Sequence, residues 1–138
     1  MNVRTIIAAL AGGVTMFLLG FVFFGLLFAE YFRANMVQYP GLDKDPPVFW
    51  AIFVFNLAWA AIIAFVLDYA GRGGWAEGAK VGAIIMALIA IAAHFDFFAF
   101  LNIHKTVAPI LVHVLVVTFI GGLTGAVIGL VKGNSAGS

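Results

Sequence analysis

The run VAPILVHVLVVTFIGGLTGAVIGLV, residues 107–131, decides how the chain reads. It holds twenty-five residues without a charged side chain, and about 20 apolar residues suffice to cross a bilayer as a helix. The stretch Gly121-Gly122-Leu123-Thr124-Gly125-Ala126-Val127-Ile128-Gly129 within it places glycine every fourth residue. That spacing puts Gly121, Gly125 and Gly129 on one helical face and marks close helix contact in a membrane. Working backwards, Gly78–Leu101 is a second apolar run, with Gly78 and Gly82 as a matching small pair. Val48–Ala70 and Val3–Ala29 complete a set of four.

The expected fold is therefore all-α: an antiparallel bundle of four transmembrane helices, spanning about 3–29, 48–70, 78–101 and 107–131. Residues 1–132 read as one domain, and the polar tail 133–138 as disordered. Composition agrees, at 64% hydrophobic and 9% charged over 138 residues, against a usual charged share of about 25%. The absence of cysteine excludes disulfides and thiolate chemistry. A net charge of +1 without a basic patch excludes nucleic acid as a partner. The first apolar run exceeds the roughly 7–15 residues of a cleavable signal, so it is expected to remain as a span.

Local signals set the remaining boundaries. Gly13 and Gly20, on one face of the first span, are expected to pack against a neighbour. Phe21, Phe23, Phe24 and Phe28 read as packing bulk, and that helix is expected to reach towards Asn35. Asp45-Pro46-Pro47 reads as a helix start with Asp45 as N-cap. Gly71 reads as a left-handed helix stop, and Thr106 as the cap of the fourth span. Arg4, Arg72, Lys80 and Lys132 fall on one side, and Arg33, Lys44 and Lys105 on the other. This bias favours cytoplasmic termini in a bacterial inner membrane.

The chemistry-bearing residues gather in one half of the bilayer. His94 and His113 lie equally far from the turn that joins the last two spans, so they share one depth. Asn56 reaches a similar depth, and Glu30 ends the first span on that side. Ionisable groups inside a membrane are costly and mark functional sites by default, so His94, His113, Asn56, Glu30 and Asp96 form a candidate polar pocket. Angular counting qualifies it. Asp96 lies roughly 200° from His94 at 100° per residue, and His113 sits about 100° off the glycine stripe. The two histidines are therefore not expected to face squarely. His104, in the turn, reads as a solvated interfacial residue.

The spacing Gly13-x-x-x-Phe17-x-x-Gly20-x-x-x-Phe24-Gly25-x-Leu27, with the glycine steps at Gly78/Gly82 and Gly121/Gly125/Gly129, resembles a bacterial domain-of-unknown-function family of small four-helix integral membrane proteins. The resemblance implies a fold and a membrane location, and no activity. It implies a polar spot near His113, where the family more often has an acid, and so speaks against a haem ligand there.

No Ser-His-Asp set, H-E-x-x-H motif or mid-membrane carboxylate pair is present. The leading expectation is a non-enzymatic packing, accessory or scaffold protein without a cofactor. Its partners would be lipid and other chains, or itself, engaged through the glycine faces. The alternatives are a ligand-, divalent-metal- or haem-binding bundle using His94 and His113, and a small dimeric transporter.

Overall fold

With no water in the hydrocarbon, an apolar run must satisfy its peptide groups internally, which a helix does. In the computed structural model, which describes residues 2–134, each of the four runs is helical. The first comprises α1 (Val3–Gly20), a π-helical segment (Phe21–Leu27) and α2 (Ala29–Asn35). The others are α3 (Phe49–Tyr69), α4 (Trp75–Phe100) and α5 (Ala108–Lys132). All four spans are long and apolar enough to cross a membrane. Of the expected tail, Gly133 closes α5 by donating its amide to Gly129 O (3.0 Å), and residues 135–138 lie outside the described part.

Three boundaries differ from the sequence reading. α3 begins at Phe49 without a side-chain cap, not at Asp45. Asp45 and Pro46 each precede a proline, and that position disfavours the helical region. α5 starts behind Val107, so Thr106 caps nothing. α4 starts at Trp75, three residues before Gly78, because Gly74 (φ +88°) turns the chain directly into the helix. The expected stop at Gly71 is in place, at φ +63°. It follows the C-cap Ala70, and Arg72 N donates to Leu67 O (2.9 Å).

The tightest packing lies between α4 and α5. A Cβ added at Gly78 or Gly82 would overlap the carbonyl oxygen of Gly125 or Gly121. One added at Gly125 or Gly129 would overlap that of Gly78 or Gly74. Gly74 also donates its amide to Gly129 O at 3.0 Å. The seam is thus three glycines against three, at a four-residue step on both helices. α5 is the central post: 44% of its apolar window is buried within the protein, against 11% for α4. α1 lies across α5 and α3, with Gly12 beneath Ile128 and Ala60 and Gly13 against Leu57. α3 touches α4 little, so a cleft remains between those two helices.

At the end that carries the termini, a polar cluster joins three spans. Lys132 Nζ donates to Asp68 Oδ1 (2.8 Å) and to Thr5 Oγ1 (3.2 Å). The Thr5 hydroxyl has two acceptors within reach, Asp68 Oδ1 at 2.9 Å and Asn2 Oδ1 at 3.0 Å. Arg4 Nε adds a bond to Val131 O (3.0 Å). At the other end, the chain leaving α2 docks on the α4–α5 turn. Val37 N donates to Ile103 O (2.9 Å), Lys105 Nζ to Ala34 O (3.1 Å) and Tyr39 OH to Asn102 O (2.6 Å). Met36 and His104 form an isolated antiparallel bridge there.

Candidate functional site

The docked segment covers a cluster of three imidazoles. His94 on α4 and His113 on α5 have ring centres 4.0 Å apart. His104, from the turn, lies 5.7 Å from His94. The rings meet, contrary to the angular expectation. That expectation weighed angle alone and left out how near the two axes come, where helices ordinarily lie about 8–10 Å apart. Here glycine lets the backbones of α4 and α5 touch, and side chains well off the seam then reach each other. His104 is not solvated either. It is 9% exposed, beneath the chain that leaves α2. No signal local to the turn announces this, since its cover comes from Met36 and Val37, far away in sequence.

Aromatic side chains enclose the cluster. Phe24 and Phe32 lie 4.7 Å and 5.8 Å from the His113 ring. Phe97 faces His94 at 6.3 Å and Phe98 faces His104 at 6.4 Å. Nδ1 of His94 and Nδ1 of His104 are buried and have no hydrogen-bond partner among the described residues. A buried polar atom without a partner costs about 1–3 kcal/mol, so the cluster is held together against that cost by its surroundings.

The cluster opens onto a cavity of about 740 Å³, within the roughly 300–1,000 Å³ of small-molecule sites. Its walls come from all four spans. Met16, Phe17, Gly20 and Phe21 lie on one side, and Phe55, Asn56 and Trp59 on the α3 side. Met86, Ile89 and His94 come from α4, and His113, Val117 and Ile120 from α5. Gly20, expected to pack, instead leaves room: a Cβ there would meet nothing within 4 Å. Where the wall needs Phe21, Phe24 and Gly25, the helix is widened into its π form. Such widening often accompanies functional sites.

The other expected members separate. Asn56 lines the cavity and is buried, but its amide donates to Ile52 O of its own helix (2.8 Å) instead of crossing to a neighbour. Glu30 is on the surface, paired with Arg33 at 2.6 Å, and Asp96 is exposed. Neither belongs to the pocket. The acid and base that do face inward, Asp68 and Lys132, are at the opposite end and escaped the sequence reading. Both end their helices, where charge reads as ordinary interfacial anchoring.

Coordination geometry limits what the histidines hold as placed. Two imidazoles on opposite sides of a metal at about 2.0–2.1 Å would stand with ring centres roughly 6–6.5 Å apart. At 4.0 Å, His94 and His113 leave no gap for a porphyrin plane between them. Among the described residues, no group of three or more His, Cys, Asp or Glu side chains is arranged to hold a metal ion.

His104 lies outside the spans, and burial holds its imidazole below the usual histidine range. The unfolded chain therefore takes up the proton first. The stability linked to His104 is fully present above the unfolded value of about 6.5 and falls as pH drops below it. Hydrogen exchange at the Val37 amide, corrected for its intrinsic rate, is expected to quicken between pH 7.5 and 5.5. It should quicken less in His104→Leu, and an equal response in both would exclude His104 as the source.

No family model, curated protein or solved structure matches this chain.

Proposed function

We propose that this is a multi-pass membrane protein that binds a membrane-soluble small molecule between its helices and does no chemistry on it. The observation that carries the reading is the cavity itself, with the His94 and His113 rings, Asn56 and Trp59 as its polar lining and apolar wall elsewhere. Its lining contains no carboxylate, hydroxyl, thiol or amine side chain that could serve as nucleophile or acid–base pair beside the imidazoles. The glycine stripes, which suggested a partner chain or a scaffold role, are occupied by each other within the α4–α5 hairpin. A transporter reading has little support, since Glu30 lies on the surface with Arg33. The charge bias of the loops favours both termini in the cytoplasm, and the composition suits a bacterial inner membrane.

Gly20→Leu tests the reading because it fills the cavity without touching the helix seams. Native mass spectrometry of the wild-type protein from mild detergent should show a bound small-molecule adduct, and Gly20→Leu should lose it. The variant should unfold at an equal or higher temperature, since filling a void commonly adds about 0.5–2 kcal/mol. A variant that folds normally and keeps the adduct would rule the cavity out as its site.

A further inference from the structure

The walls of the cavity also select what can occupy it. None of the lining residues is Asp, Glu, Lys or Arg, and an unpaired charge in such a space is strongly disfavoured. The occupant therefore carries no net charge. The strongest polar groups, His94, His113 and Asn56, share one level, and the Trp59 indole lies about one turn deeper. That level lies roughly 8–10 Å inside the helix ends, at about 1.5 Å per residue. Beyond it, towards the middle of the bilayer, the lining turns to Met16, Met86 and Ile120. This is the order of a lipid in one leaflet, polar end outward and apolar end at the midplane. A molecule with that order can move in from the leaflet through the α3–α4 cleft without turning over.

The polar level also specifies the head. A neutral imidazole offers one donor and one acceptor, and none of the three rings makes a side-chain hydrogen bond to another described residue. Two such rings side by side can donate to a carbonyl head, or both donate to and accept from a hydroxyl head. The surrounding faces are flat: Phe17, Phe21, Phe24 and Trp59 line the space near that level. Flat aromatic walls favour a ring, by offset or edge-to-face contact. Resting on the binding function proposed above, we infer that the ligand is a neutral amphiphile with a hydroxyl- or carbonyl-bearing ring as its head and one apolar tail. Its head meets His94 and His113, and its tail lies towards Met86 and Ile120.

Trp59 gives a direct readout, since Trp50 and Trp75 are exposed and outside the cavity. In the Trp50→Phe/Trp75→Phe protein in nanodiscs, a decyl-substituted 1,4-benzoquinone should quench Trp59 fluorescence saturably. A decylphenol should compete with it. Decyl sulfate and decyltrimethylammonium, of equal chain length, should compete at least tenfold more weakly. His94→Ala and His113→Ala should each weaken the quinone by about tenfold, and His94→Gln, which keeps a donor and an acceptor, should recover part of that loss. Circular dichroism and unfolding temperature separate these effects from misfolding. Quenching that Gly20→Leu abolishes, but that ignores both the histidines and the head charge, overturns the assignment of the head and leaves the cavity reading standing. Quenching that Gly20→Leu does not change overturns the cavity reading, and this inference with it.

Discussion

Replacing Gly125 by alanine is expected to separate α4 from α5 and to destabilise the protein by about 2 kcal/mol or more. The added Cβ would overlap the carbonyl oxygen of Gly78 and crowd the Cα of Gly82. Both obstacles are backbone, so no rotamer change relieves them. Overpacking usually costs about 1–3 kcal/mol, and this case belongs at the upper end. Alanine returns about 1 kcal/mol of helix propensity, which is too little to offset it. Gly122 supplies the control. It lies on the same helix, and its Cβ would make only ordinary contact, 3.7 Å from Ala79 O and Ala83 Cβ. Gly122→Ala should therefore be neutral or stabilising. The measurement is reversible unfolding in mixed micelles, and equal stability in the two variants would contradict a seam set by backbone contact. Because the seam also brings His94 to His113, Gly125→Ala should lose ligand binding as well.

Lys132→Met is expected to give the largest loss among single substitutions away from the glycine seam. The Lys132 side chain is 11% exposed, and its removal leaves Asp68 without the cation that it faces. The Asp68 side chain is 32% exposed, so the pair is partly buried, and taking one partner from such a pair costs more than replacing both by apolar groups. The double variant Lys132→Met/Asp68→Leu should therefore unfold at a higher temperature than Lys132→Met alone. Thr5 makes this possible, because its hydroxyl keeps Asn2 Oδ1 as an acceptor at 3.0 Å when Asp68 is gone. A double variant no more stable than the single one would mean that the pair contributes through contacts other than its charge.

The four spans were legible because membrane helices announce themselves by length and uniform apolarity, and Gly78, Gly82, Gly121, Gly125 and Gly129 by spacing. Gly74 was not, since it precedes its helix and belongs to the seam only once the turn is folded. Depth was legible for His94, His113 and Asn56, because rise per residue is nearly constant along a helix. Facing was not. Angular position predicts contact only when the distance between helices is known, and that distance is set by the partner's glycines. The burial of His104 and the vacancy beside Gly20 depend on segments remote in sequence. Local pattern carries no trace of them.

The fastening of α3 has a mechanical consequence. Its Asp68 end is held by Lys132 and Thr5, while its grip on α1 passes through Leu57 against Gly13 and Phe53 against Phe17. Its Phe49 end continues into the segment that leads back to α2, with little grip from α4. A rod clamped at one end sways most at the other. Pro47 and Phe49 stand at that free end and also line the cavity. Of the two ends of α3, the one at Phe49 is thus the end without a polar clamp among the described residues, about two turns outward of the histidine level.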